Sequence, residues 1–207
     1  MRILGIDEAG RGCVLGPLCI GAFVVDGVDD ATLRLAGADD SKRLSHKRRV
    51  EARAKLADLG TPEVILIQPP AIDAGNLNAL EETAIVALVR KYAPDRVIVD
   101  ALGHPRTIPA TIERLNAQAP ADWLMEPKAD GTYPSCGAAS IFAKTTRDQI
   151  IEDLKAEFGD FGSGYPSDPK TRRWLADWHA AGKAWPSFVR TRWGTIRDLE
   201  QQSLFKG

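Results

Sequence analysis

Asp7 and Glu8 stand side by side at the end of the β-rich run ILGID at 3–7, and Asp100 ends a second run, RVIVD at 96–100. Strand ends are where α/β sheets carry their sites, so two central neighbouring strands would bring Asp7 and Asp100 to one sheet edge. Ser140, Lys144 and Asp148 fall at i, i+4 and i+8, one polar line on a helix. Four acids gathered there would repel one another, because ordinary carboxyl groups with pKa values of about 4 are all charged at neutral pH. A hard divalent cation such as Mg²⁺ relieves that repulsion through carboxylate oxygens and retained waters. Two such ions about 4 Å apart can activate water and stabilise a leaving oxygen in phosphodiester hydrolysis. His46, His104 and His179 sit in unremarkable contexts, and this chemistry needs none of them.

Gly10-Arg11-Gly12 follows the acids directly. The glycines allow close backbone approach to a ligand, and an arginine can fork onto phosphate. Asp40-Ser41-Lys42 offers a further phosphate contact and reads equally as a helix start. Taken singly, each feature has a plainer reading: an acid after a strand is commonly a turn or cap residue, the glycine pair a tight turn, and the Lys–Asp pair a solvated helix face.

The elements that must position these residues are legible in outline. Strands are expected at 3–7, 19–25, 64–68, 96–100 and about 122–125, with Gly16-Pro17 turning the chain between the first two. Ser45 caps a basic helix running to Leu59 and closed by Gly60. Leu77, Leu80, Ala84 and Leu88 mark a helix over 76–92, with Pro94 just beyond it. Helices are also expected at 109–118 and 136–158. Strands that come close together and then alternate with helices indicate a mixed α/β sheet. GDFGSGYPSDP at 159–169 changes the character of the chain, and short helices rich in Trp and Arg follow. This divides the chain into a catalytic region, 1–160, and a C-terminal helical region, 161–207.

The 207 residues, 44% hydrophobic and 27% charged, have ordinary globular composition. No apolar run approaches the roughly 20 residues that span a bilayer, so no membrane partner is expected. The acid-interrupted start MRILGIDEAG is unlike a signal peptide. Cys13, Cys19 and Cys136 form no close metal-type pair, which suits a reducing, cytoplasmic setting. Zinc-finger, Walker and dinucleotide fingerprints are missing from the sequence. The net charge of -1 is unevenly spread: residues 161–197 carry seven basic and two acidic side chains together with four of the five tryptophans. Basic residues interleaved with aromatics suit a surface that follows a nucleic-acid backbone. Trp174 and Trp178, four apart, can equally share a core-facing helix side.

Together these segments resemble the type 2 ribonucleases H, that is, ribonuclease HII and the catalytic subunit of its eukaryotic relative. GIDEAGRGCVLGP at 5–17 is similar to the family's first catalytic motif. Asp40-Ser41-Lys42, VIVD ending at Asp100, and YPSCGAASIFAKTTRD at 133–148 follow in the family's order. GSGYPSDPKT at 162–171 and VRTRWGT at 189–195 resemble the archaeal and eukaryotic branch. The resemblance covers nearly the whole chain.

It implies a ribonuclease H-like mixed sheet flanked by helices, with a C-terminal helical appendage. It also implies Mg²⁺- or Mn²⁺-dependent cleavage of the RNA strand in RNA–DNA hybrids and at ribonucleotides embedded in duplex DNA, with roles in ribonucleotide excision repair and replication. By position, Asp7, Glu8, Asp100 and Asp148 would be the catalytic, metal-binding acids. Gly10, Arg11, Gly12 and Tyr165 would recognise the ribonucleotide and the deoxynucleotide after it. Lys42 and Lys144 would contact phosphate, and Arg190 would belong with the substrate-binding residues. A monomer is expected. Cys13, Gly137 and Arg192 depart from the family pattern, which usually has Pro, Ser and Ser there. Two other classes stay open: a DNA nuclease or integrase-like enzyme of the same fold, and a hybrid-binding module without activity. The intact acids disfavour the module, and Tyr165 beside the glycine loop favours ribose recognition.

Overall fold

The computed structural model of the chain describes residues 1–38, 44–101 and 105–204. The elements are β1 (Arg2–Ala9), β2 (Leu18–Asp26), α1 (Asp30–Leu35), α2 (His46–Ala57), β3 (Thr61–Ile67), α3 (Pro69–Ala74), α4 (Leu77–Tyr92), β4 (Arg96–Asp100), α5 (Ile108–Gln118), β5 (Asp122–Glu126), α6 (Ala129–Thr132), α7 (Pro134–Phe158), α8 (Pro169–Ala180) and α9 (Gly194–Leu204). The expected mixed α/β sheet is present. Its strand order is β3-β2-β1-β4-β5. β1 pairs antiparallel with β2 and parallel with β4, and β4 pairs parallel with β5.

Local chemistry sets the boundaries. The Ser45 hydroxyl accepts from Arg48 N–H at the start of α2, and the Asn76 side chain accepts from Ala79 N–H at the start of α4. α4 ends at Ala93, which takes a left-handed conformation (φ 43°), with Pro94 next. β3 reads as a buried strand in sequence. It is half-buried instead, with Leu66 39% exposed, because it forms the sheet edge, although Ile65 and Val64 still pack toward opposite faces of the sheet.

Helices cover both sheet faces. On one, Leu4, Ile6, Ile20, Val97 and Val99 pack with Ile85, Leu88 and Val89 of α4 and Leu115 of α5. On the other, Phe23 and Val25 pack with Leu33 of α1, Leu56 of α2 and the small residues of α7. α7 lies unusually close to the sheet. A Cβ at Gly5 would come within 2.2 Å of the Ser135 backbone, and one at Gly21 within 2.3 Å of the Ala139 carbonyl. The two glycines and the run Cys136-Gly137-Ala138-Ala139 permit that approach, which brings the polar line of α7 to the end of β1.

Beyond Gly159 the chain packs through a third cluster. Phe161, Leu175, Phe188, Val189 and Ile196 join Val14 and Leu15, which follow the glycine loop, and Ile151 of α7. Trp174, Trp185 and Trp193 pack against this core. Trp174 stacks on Trp178 with ring centroids 4.9 Å apart, and their indole N–H groups donate to the Phe158 and Ala184 carbonyls. Lys170, Arg172, Arg173, Lys183, Arg192 and Arg197 are exposed. Most of the basic residues that interleave with aromatics in sequence thus face outward, whereas Arg190 is fully buried with its guanidinium 5.0 Å from the Trp193 ring centroid.

Candidate active site

Parallel register fixes the first two acids. Ile6 pairs with Val99, so the next residue of each strand, Asp7 and Asp100, lies at the same level. Asp100 Oδ1 accepts from the N–H groups of Ala101 and Ala129, both at 3.1 Å, which ties β4 to the start of α6. That bond helps place Asp130, a residue the sequence reading missed. Asp7, Asp100 and Asp130 each offer an oxygen, and these atoms all lie within 4.8 Å of one another. Asp7 is 4% and Asp130 2% exposed.

Asp148 is not part of that group, which corrects the expectation that it joins Asp7 and Asp100. It shares a face with Ser140 and Lys144, but each step of four residues advances about 6 Å along a helix. Asp148 therefore reaches the cleft wall, where its carboxylate meets His46 Nδ1 and an Arg49 Nη2 donor, both at 3.2 Å. The rule that pointed to Asp7 and Asp100 would pick Glu126, which ends β5; Asp130 lies four residues further on, in α6.

Electrostatics mark the acids as crowded. Burial raises Asp7 to about 6, against the opposing pull of Lys144 and Ser140. Burial and then the charges of Asp7 and Asp100 push Glu8 to about 8, with Arg11 opposing. Lys144 Nζ donates to Ser140 Oγ at 2.6 Å and stands 3.8 Å from Asp7 and 3.9 Å from Asp130. Expected on the phosphate side, it bridges two of the acids and also lines the cleft. Carboxylates this close, all oxygen donors and short of positive charge, fit a hard divalent cation. Asp7, Glu8, Asp100 and Asp130 are the residues that would hold it.

Asp7, Glu8 and Asp100 open onto a cleft of about 380 Å³, lined also by residues 9–12, Arg49, Arg147 and Tyr165, and Asp130 is buried beside them. Gly10 takes a φ of +88°, and a Cβ there would meet Arg147 Nε at 2.6 Å and the Pro17 carbonyl at 2.8 Å. At Gly12 a Cβ would meet nothing within 4 Å, so backbone is bare to the cleft at that point. Arg11 is held by α4: its guanidinium pairs with Glu81 and donates to Asn78 Oδ1 at 2.5 Å. Val14 and Leu15 N–H groups both donate to the Gly164 carbonyl, which joins the glycine loop to the loop bearing Tyr165. Tyr165 is 40% exposed, with the Arg147 guanidinium 5.2 Å from its ring centroid. Burial and the nearby Cys13 thiol push its hydroxyl up to about 12, so it is a neutral phenol at ordinary pH.

Arg190 lies behind this wall. It is fully buried, and its guanidinium donates to the carbonyls of Gly10, Arg11 and Gly16 at 2.7, 2.9 and 3.1 Å. It supports the loop from inside the protein and does not line the cleft. Arg147 and Arg49 were not singled out in sequence, although Arg147 sits three residues beyond Lys144 and so on the same side of α7. Lys42, with Asp40 and Ser41, lies outside the described residues.

The arrangement suits the cutting of a phosphodiester: clustered acids near the ends of parallel strands, with a glycine loop and an aromatic ring lining the same cleft. Comparison with known proteins agrees. The family model described as Ribonuclease HII matches residues 4–196. Ribonuclease HII of Archaeoglobus fulgidus is 40% identical over 205 residues, covering 97% of each chain. The crystal structure of ribonuclease H2 from Pyrococcus horikoshii is similar with a TM-score of 0.89 and 38% identity, covering 98% of each chain. The ribonuclease HII in the PCNA complex from A. fulgidus is similar with a TM-score of 0.87 and 38% identity, covering 99% of this chain and all of that one. With acids, loop and fold agreeing along the same stretch of sequence, the chain belongs to the ribonuclease HII family of metal-dependent endoribonucleases.

Proposed function

We propose that the chain hydrolyses the RNA strand of RNA–DNA hybrids and also cuts at single ribonucleotides embedded in duplex DNA. The observation that carries this is the acid cluster Asp7, Asp100 and Asp130 beside a bare glycine loop and a half-exposed tyrosine. Asp7, Glu8, Asp100 and Asp130 would hold the cations, two Mg²⁺ or Mn²⁺ ions in this reading, which would supply an activated water and stabilisation of the leaving oxygen.

The chain's own residues do the rest. Lys144 limits the repulsion between Asp7 and Asp130 before any cation arrives. A 2′-hydroxyl both donates and accepts, so the bare backbone at Gly12, on a turn that Gly10 permits with its positive φ, can read it. Tyr165 offers a flat face to the next sugar, and a hydroxyl on that sugar would spoil the fit. Exposed cations on α8 and α9 and on the segment between them follow the duplex backbone, which gives residues 161–207 a substrate-binding role. Duplex approaches as a polyanion to a chain acting as a monomer in the cytoplasm. The A. fulgidus relative is recorded in complex with PCNA, and an equivalent assembly of this chain is part of the proposal, tested by co-elution with PCNA.

The test is cleavage of matched DNA, RNA–DNA and single-ribonucleotide duplexes in Mg²⁺ or Mn²⁺. Cutting of both ribonucleotide-containing substrates with the DNA duplex left intact is expected. Equal cutting of all three would point to a general nuclease, and binding without cutting to a hybrid-binding module.

A further inference from the structure

Glu81 is fully buried on α4, outside the group Asp7, Asp100 and Asp130, and is not used by the chemistry above. Its Oε2 pairs with Arg11 of the glycine loop, and Oε1 has no hydrogen-bond partner among the described residues. A buried carboxylate with one satisfied oxygen is costly unless its counter-charge stays in place. Arg11, with a side chain 30% exposed, lines the cleft and is held on its far side by Glu81 and Asn78. Moving Arg11 toward a substrate phosphate would strand Glu81 in the interior. The guanidinium is therefore fixed against α4, with much of its charge offset, and the residue between the two glycines is anchored at its side-chain end. Arg190 anchors the same residue at its backbone carbonyl.

We propose that Glu81 is a positioning residue: by holding Arg11 against α4 it fixes the Gly10–Gly12 loop in the form that tells a ribonucleotide from a deoxynucleotide. This rests on the reading of the cleft given above. An arginine with its charge offset gains little from duplex phosphate as such, so binding is left to depend on what the loop backbone reads. Freed from Glu81, Arg11 becomes a loose full charge that grips any duplex, and the loop it belongs to loses its register.

The experiment measures cleavage and equilibrium binding of single-ribonucleotide and all-DNA duplexes by full-length wild type, Glu81→Gln, Glu81→Asp and the pair Arg11→Ala and Arg11→Ala/Glu81→Gln. Binding is read in Ca²⁺ so that turnover does not confuse it. Both Glu81 variants should lose about tenfold in the preference for the ribonucleotide duplex, a size typical of one coupled pair. Glu81→Asp keeps the charge and loses only reach, so its loss separates positioning from simple removal of a negative charge. Arg11→Ala should melt lower than wild type because it strands Glu81, and adding Glu81→Gln should restore melting without restoring the preference. Unchanged preference in Glu81→Asp, or a double variant no more stable than Arg11→Ala, would overturn the inference. Failure of wild type to cut either ribonucleotide substrate would instead overturn the proposed function, and the melting comparison would still report on the pair.

Discussion

Asp7 and Lys144 form an ion pair at 3.8 Å in which the acid is 4% exposed and still carries a raised pKa, because burial outweighs the nearby ammonium. The sign of the pH dependence follows. In the metal-free protein Asp7 titrates at about 6 and Glu8 at about 8, whereas in the unfolded chain both titrate at about 4. Between those values the folded state holds protons that the unfolded state has released, so stability falls as pH rises. Below about 4 the two states are protonated alike and nothing is lost; above about 8 the full penalty applies. A divalent cation replaces those protons. The Mg²⁺-induced rise in melting temperature should therefore be larger at pH 8.5 than at pH 5, read by differential scanning fluorimetry against an EDTA control. An equal rise at both pH values would contradict the crowding of these acids.

Asp130 and Asp148 make opposite predictions. Asp130→Asn removes an oxygen donor from the buried cluster and should lower cleavage by orders of magnitude, as expected when a metal clamp is lost. The same substitution should raise the melting temperature in EDTA, because one like charge leaves a crowded group. Asp148→Asn removes a partner of His46 and Arg49 at the cleft wall and should cost far less activity. Asp100→Asn should behave like Asp130→Asn. Single-turnover cleavage in saturating Mg²⁺ separates the cases; comparable losses at 130 and 148 would return Asp148 to the metal site.

The contrast between these two aspartates shows what the sequence carries and what it hides. β1, β2 and β4 were legible because each is an apolar run ending in charge, and the polar line of α7 because 25 helical residues display their period. Asp130 sits on a four-residue helix entered through Lys128 in a left-handed conformation, too short to show any period. α1 and α3, six residues each, were missed for the same reason. Asp148 was placed on the correct face of α7, but a face does not say how far along the axis a site extends. Arg190 stands in a motif with functional neighbours, and only packing reveals that its side chain points at carbonyls behind the loop. Glu81 falls at 3–4 spacing on the apolar stripe of α4, but the contact that it and Asn78 make with Arg11 spans about 70 residues of chain, and no local pattern names that partner.

Ending the chain at Gly159 should do more than remove charge. Phe161, Leu175, Phe188 and Ile196 cover Val14, Leu15 and Ile151, and Arg190 leaves with them. The truncated protein should retain sheet structure by circular dichroism, expose apolar surface to a hydrophobic dye and lose most hybrid affinity. In the full chain the exposed cations at 170, 172, 173, 183, 192 and 197 should make binding fall steeply with salt. Arg172→Ala/Arg173→Ala, on the exposed side of α8, should reduce the slope of log affinity against log salt while leaving the melting temperature within a few degrees of wild type. A truncated protein that binds hybrid as tightly as the full chain would reduce the region to a structural role.

Tyr165 gives the sharpest test of how RNA is told from DNA. Its ring is 40% exposed at the cleft wall, with the Arg147 guanidinium 5.2 Å from its centroid on one face. Its loop is tied to the glycine loop through the Gly164 carbonyl, which keeps ring and bare backbone at a fixed separation. A 2′-hydroxyl read by the backbone at Gly12 and a deoxyribose seated on the ring together define an RNA-to-DNA step. A substrate with a single ribonucleotide offers only that step, whereas a long hybrid offers many nucleotides on which to bind. Tyr165→Ala should therefore fold, with a melting temperature close to wild type, and lose more turnover on the single-ribonucleotide duplex than on the hybrid. Tyr165→Phe keeps the ring and should behave nearly as wild type on both, since the neutral hydroxyl contributes no charge to the step. Equal losses on both substrates, or an Ala defect explained by a lower melting temperature, would leave Tyr165 as a packing residue of its loop.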